Sequence, residues 1–145
     1  MKNKLAALRQ IMVRGEAGTL LRAWLSLLWV DLGLRWLPFP RLQRWAQYAP
    51  GKTGREDRTR GRRLAGLVST AARHHLYPMT CLRRSLVLQR MLRQEGFAAE
   101  LCIGVRKEDG GLQAHAWVEV DGEPVGESER VTEAYQQMLQ AGRAG

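Results

Sequence analysis

Residues 81–122, CLRRSLVLQRMLRQEGFAAELCIGVRKEDGGLQAHAWVEVDG, change hydrophobic period part-way along. From Cys81 to Gln94 the apolar residues Leu82, Leu86, Met91 and Leu92 recur at helical spacing. Gly96 stands where a left-handed C-terminal cap is wanted. From Ala98 to Val105 the period falls to two, with Leu101, Ile103 and Val105 alternating with Glu100, Cys102 and Gly104. Lys107 to Gly111 reads as a turn and Leu112 to Val120 as a second strand. Asp121-Gly122 is a tight hairpin signal. Pro124 to Glu127 is expected as a short third strand and Tyr135 to Leu139 as a last helical turn. A helix followed by antiparallel strands is an α+β plan.

Towards the N-terminus the chain is helical and basic. Residues 4–14 carry Leu5, Leu8, Ile11 and Met12 as an apolar stripe. Gly15 and Gly18 break it, and Thr19 could cap a second helix reaching Trp36. Leu20, Leu21, Trp24, Leu25, Leu28 and Leu32 give that helix a wide apolar face, widened further by Leu27, Trp29 and Val30. Such a helix is expected to be buried on two sides or used as an interface. Leu37-Pro38-Phe39-Pro40 ends it. Arg41 to Tyr48 is a short amphipathic turn or helix. Pro50 to Arg63 is a basic loop before a helix at about 62–75. The expected organisation is an N-terminal helical region over 1–50, a basic loop over 51–63 and a core over 64–145.

The chain has 145 residues and a formal charge of +9. Residues 1–75 hold 15 basic and 4 acidic side chains, and residues 76–145 hold 8 and 10. A uniformly basic, histone-like protein is therefore excluded. Two cysteines make no disulfide framework, and adjacent His74 and His75 make no chelating pair, so neither a structural zinc nor a cofactor is expected. The N-terminus lacks the apolar run of a signal peptide, and Arg22 and Asp31 interrupt the most apolar segment, so no transmembrane segment is expected. The default compartment is a reducing, cytoplasmic one. Gly51-Lys52-Thr53 is not a phosphate loop, because position 46 is alanine and no strand precedes it.

The chemistry concentrates in the near-neutral half. Cys81 begins a helix, where unpaired N–H groups and the helix dipole favour thiolate over thiol, and Arg83 and Arg84 add positive charge. His115 lies mid-strand between two alanines. An acidic residue follows on the next strand. A cysteine and a histidine oriented by a third polar group form an activated nucleophile. Each residue also has a bland reading: free cysteine as small core residue, strand histidine as structural. Cys102, between Leu101 and Ile103, takes the bland one.

Cys81-Leu82-Arg83-Arg84-Ser85-Leu86, Ile103-Gly104-Val105 and His115-Ala116-Trp117-Val118-Glu119 together resemble the transglutaminase-like leader peptidases of lasso peptide biosynthesis. The likeness covers about residues 64–130, and the front helices resemble the stand-alone form of that protein. The resemblance implies a papain/transglutaminase-like cysteine peptidase core, with the Cys-bearing helix packed on a His-bearing antiparallel sheet and an N-terminal helical extension. It implies removal of the leader from a ribosomally made precursor peptide. The partners would be a separate leader-recognition protein and an ATP-dependent cyclase, as in bacteria. Cys81 would be the nucleophile, His115 the general base and then acid, and Glu127 the orienting acid where the family has aspartate.

Register bears on Glu127. A two-residue turn at Asp121-Gly122 would set Glu127 opposite Ala116, whereas a three-residue loop would set it opposite His115. The odd-length register is expected. Glu119, about 7 Å along the strand, is the reserve candidate. The Cys81 N–H is the first oxyanion donor, and the second is sought around Tyr77. Trp117 either shields the Cys–His pair or fills core. The rivals are a transglutaminase-like acyl transferase, a non-catalytic basic binding module using Lys52, Arg55, Arg58, Arg60, Arg62 and Arg63, and peripheral membrane attachment through residues 19–39. Residues 51–66 lack aromatics, which argues against nucleic acid. For the apolar helix, burial against the core or a partner protein is preferred.

Overall fold

The central helix of the fold, α5 (Cys81–Gln94), carries apolar residues on most of its circumference and is accordingly packed on both sides. The computed structural model describes residues 2–13, 15–48, 57–76, 78–127 and 135–141. Before α5 come α1 (Lys2–Val13), α2 (Ala17–Trp36), α3 (Phe39–Gln47) and α4 (Arg58–Arg73). After it come β1 (Ala99–Glu108), β2 (Gly111–Val120), β3 (Glu123–Pro124) and β4 (Gln136–Ala141). The strands form one antiparallel sheet in the order β3-β2-β1-β4. On one side α5 meets α2, α3 and α4; on the other it meets β1 and β2.

One hydrophobic core joins these layers. Leu86, Val87, Met91 and Leu92 of α5 pack with Ala23, Leu27 and Val30 of α2, Leu64, Leu67 and Val68 of α4, and Leu101, Ala116 and Val118 of the sheet. The α2 and α3 helices thus share the core of the sheet instead of forming a separate body. The period-two pattern sets the two sheet faces. Ala99, Leu101, Ala116 and Val118 face the helices, while Cys102 and Trp117 pair on the outer face under Tyr135. The α5 helix ends in a Schellman motif: Gly96 has φ 96°, and Phe97 N–H donates to Leu92 C=O at 3.0 Å.

Several boundaries differ from the sequence expectations, each for a local reason. The helix expected at 62–75 begins at Arg58, because the Asp57 carboxylate caps it by accepting from Arg60 N–H at 3.2 Å. Residues 58–63 are therefore helix, not loop, and 51–56 lie outside the described residues. Thr19 is inside α2, whose N-cap is Glu16. The turn expected over 107–111 is only Asp109-Gly110, since Glu108 already pairs with Gly111. The third strand is two residues long, not the four of Pro124–Glu127. Tyr135 to Leu139 is not a helical turn. Gln136–Ala141 pairs with the free edge of β1, whose unsatisfied backbone groups outweigh the weak helical pattern there.

The basic segment is also redirected. Arg60 forms a bidentate pair with Glu95, Nε to Oε2 at 2.8 Å and Nη2 to Oε1 at 2.6 Å, and its Nη1 reaches Glu16 at 3.3 Å. The Glu95 hydrogen bond raises the Arg60 pKa further. Arg63 pairs with Glu16 through Nε at 2.7 Å, and Arg58 pairs with Glu123 at 2.8 Å. Three of the arginines expected as a binding surface instead tie α4 to α2, α5 and the β2–β3 hairpin.

Candidate active site

Cys81 is the first residue of α5, behind Thr80, whose hydroxyl caps the helix by accepting from Arg83 N–H. It is half-buried and opens on a narrow cleft of about 40 Å³ that Arg84, Ala116, Gly126 and Glu127 also line. Two contacts hold this end of the helix. Ser85, one turn beyond Cys81, donates its hydroxyl to the Ala116 carbonyl at 3.1 Å. Arg83 reaches back to Asp31 of α2, Nε to Oδ1 at 2.9 Å, with the aspartate fully buried. The Arg83 charge is thus paired within the fold. Arg84 is the cation left lining the Cys81 cleft.

The Ser85 contact follows from the shape of the sheet. The β3 strand pairs with β2 only through Glu119 and Val120, and Val125 N–H extends the ladder to Val118 C=O at 2.8 Å. Ala116 C=O, two residues back along that same edge, has no β3 partner. A buried carbonyl needs a donor, and Ser85 supplies it. That hydroxyl fastens the start of α5 beside Ala116, the neighbour of His115. Ser85 lies within the motif that carried the family resemblance, yet its role was not legible there.

His115 stands on β2 opposite Gly104 of β1. Its side chain is 21% exposed, and Nε2 lies 3.1 Å from Glu127 Oε1. With a carboxylate as acceptor, Nε2 is the nitrogen that carries the proton of the neutral ring, which leaves the Nδ1 lone pair for another partner. The ring is flanked by Trp117, stacked at 6.0 Å, and Tyr135, at 5.2 Å between centroids. Gly104 makes the enclosure possible. A Cβ there would lie 2.8 Å from both the Trp117 ring and Tyr135 Cβ. Trp117, 1% exposed, therefore belongs to both earlier readings, since it fills the outer-face core and walls the histidine. Tyr135 was missed from sequence, hidden in a segment read as helical.

The expected register was wrong, although Glu127 does meet His115. Glu119 pairs with Pro124 and Val120 with Glu123, so Asp121-Gly122 is a two-residue turn with φ of 53° and 79°, as in type I′. Continued straight, that register would set Glu127 against Ala116. The chain leaves the strand at Gly126, whose φ is 75°, and this reversal carries the carboxylate round to the histidine. Gly126 is also pressed against α4: a Cβ on it would lie 2.7 Å from Ala65 Cβ. Alternation arguments hold only while the strand does.

Glu119 is engaged elsewhere. It is 5% exposed and accepts from the Trp117 indole N–H at 2.9 Å. Cys102 is fully buried, and burial first, then the Glu119 carboxylate, pushes its thiol pKa up to about 12. His74 bonds through Nδ1 to Thr70 C=O at 2.8 Å, and His75 stacks on Trp24 at 4.5 Å. Both are packing residues. Tyr77, near which the second oxyanion donor was sought, lies outside the described residues.

A family model described as the transglutaminase-like superfamily matches residues 24–140. The chain belongs to the transglutaminase-like superfamily. No curated protein and no solved structure matches it significantly. The family span begins at Trp24, inside α2, so this transglutaminase-like domain takes in α2 and α3 together with the helix and sheet that carry the site. Cys81 packs with Ala116 on the helix side of the sheet, whereas His115 lies on the outer face with Trp117, and among the described residues no hydrogen bond joins thiol to imidazole; Glu127 borders both. A half-buried thiol at a helix start and an imidazole bound by a carboxylate are parts for acyl chemistry through a cysteine nucleophile.

Proposed function

We propose that this transglutaminase-like protein is a cysteine peptidase that removes the leader from a ribosomally synthesised lasso precursor peptide. The observation that carries the reading is the His115 Nε2–Glu127 Oε1 bond of 3.1 Å, with Glu127 also lining the cleft of the Cys81 thiol. In this proposal the imidazole comes round the open edge of β2 to the thiol when peptide binds, and His115 Nδ1 takes the thiol proton as sulfur attacks the scissile carbonyl carbon. The oxyanion that forms is met by the Cys81 N–H, which has no intrahelical partner at the first helical position. His115 then returns the proton to the leaving amine, the new N-terminus of the core peptide. Water, deprotonated by the same nitrogen, cleaves the thioester and frees the leader as a carboxylate. Glu127 keeps Nε2 protonated throughout, so that each transferred proton is taken and given back at Nδ1.

The protein works here beside a separate leader-recognition protein, which brings the precursor, and an ATP-dependent cyclase, which uses the freed amine, in the bacterial cytoplasm. The family resemblance of the 81–86 and 115–119 motifs supports these partners. The test is to incubate precursor peptide with the protein and the recognition protein and to weigh the products. Hydrolysis gives a leader carboxylate and a free core amine. A leader joined instead to an added amine would make the protein an acyl transferase. Cys81→Ala and His115→Ala should each abolish cleavage, and cleavage by Cys81→Ala at the parent rate would overturn the peptidase reading.

A further inference from the structure

The face that α2 turns away from the core is strongly apolar. Leu21, Leu25, Trp29, Leu32 and Trp36 are 58%, 52%, 51%, 44% and 83% exposed. At 3.6 residues per turn they fall within an arc of about 80° and run about 22 Å along the helix. Ala23, Leu27 and Val30 occupy the opposite side and are fully buried. The stripe has cationic margins. Arg22 lies about 20° beyond one border and Arg35 about 40° beyond the other, and both are exposed. Lys2 and Arg9 of α1 and Arg41 and Arg44 of α3 are exposed as well. The two acidic residues among 1–48, Glu16 and Asp31, are both neutralised internally by Arg60, Arg63, Arg83 and Arg35.

We propose that α2 lies flat in the interface of an anionic lipid membrane, with this stripe inserted and its arginines at headgroup level. Apolar insertion supplies the binding energy and the cations select anionic lipid. Two tryptophans in the stripe suit the interfacial zone, and arginine stems reach from apolar surface to headgroups. The α2 helix is long and apolar enough to cross a membrane, at mean hydropathy 1.2. Crossing, however, would draw Ala23, Leu27 and Val30 out of the core and strip Asp31 from Arg83. Flat docking keeps both. A second copy of the chain fits the face poorly, because it would bring the same cationic margins against each other.

The test is sedimentation of the full-length protein with sucrose-loaded vesicles of phosphatidylcholine, with and without phosphatidylglycerol. Binding to the anionic vesicles is expected, weakening as sodium chloride is raised, with little binding to phosphatidylcholine alone. Leu25→Ser with Trp29→Ser should weaken it by about tenfold or more. Arg22→Glu with Arg41→Glu should weaken it comparably and flatten the salt dependence, with melting curves showing that each variant is folded. Failure of the parent protein to bind anionic vesicles overturns the proposal. So does equal, salt-independent binding to both vesicles, or parent-like binding by the stripe variant. A parent dimer that the stripe variant dissolves, without vesicle binding, would assign the face to a second copy instead.

Discussion

Removing the Glu127 carboxylate would leave the His115 ring free to rotate and to exchange tautomers. Glu127→Ala should lower kcat for peptide cleavage by about a hundredfold or more, and Glu127→Gln should lower it at least as much, because an amide can donate to Nε2, fix the wrong tautomer and leave the imidazolium without its counter-charge. Cleavage near the parent rate by either variant would deny Glu127 an orienting role. The two cysteines separate at the same scale. With its pKa raised from 9.0 to about 12, Cys102 stays a thiol where an ordinary cysteine ionises. Its contribution to stability is full below pH 9.0 and is lost as pH rises towards about 12. Iodoacetamide at pH 8 should therefore label the folded protein once, on Cys81, and twice after denaturation; mass spectrometry of tryptic peptides reads the difference. Ser85→Ala would leave the buried Ala116 carbonyl without its donor. The expected cost is about 1–3 kcal/mol in denaturant melts, with cleavage slowed beyond the effect on folding.

The elements meet at two glycines, and neither announces its purpose in the sequence. Gly126 turns the chain out of β3 at a φ of 75° with α4 against it. Gly126→Ala should disturb both, displacing Glu127 and lowering activity more than melting temperature. Gly104 lies beneath Trp117 and Tyr135, where an added methyl cannot fit without moving an aromatic side chain. The helix α5, its cap and the two long strands were legible because each follows one period over many residues. The register of the hairpin, the departure at Gly126 and the strand β4 were not. Each depends on which distant group needs a hydrogen bond or leaves space for a backbone, and no local pattern encodes that.

For the molecule as a whole, the charge imbalance resolves into two uses of arginine. Arg60, Arg63, Glu16 and Glu95 form a partly buried network joining α4 to α5 and the start of α2. Arg60→Ala would take the cation from Glu95, while Glu16 keeps Arg63, and should cost about 2 kcal/mol, lowering Tm by about 4–8 °C. Asp31 performs the same office between α2 and α5. Arg22 and Arg35, which border the exposed stripe of α2, carry charge outward.

The sequence alone determined the α+β class, the helix that begins at Cys81, the strand that bears His115 and the likeness of their motifs to the transglutaminase-like superfamily. Those depend on short-range periodicity and on residue chemistry. Tertiary structure alone decided how Glu127 reaches His115, that Ser85 secures the helix to the open edge of β2, and that Tyr135 covers the imidazole. It also decided that Arg60 and Arg63 of the basic segment are taken up in partly buried ion pairs and that one face of α2 is left to solvent. Those outcomes come from long-range packing, in which a buried carbonyl or carboxylate takes whichever donor the fold brings to it.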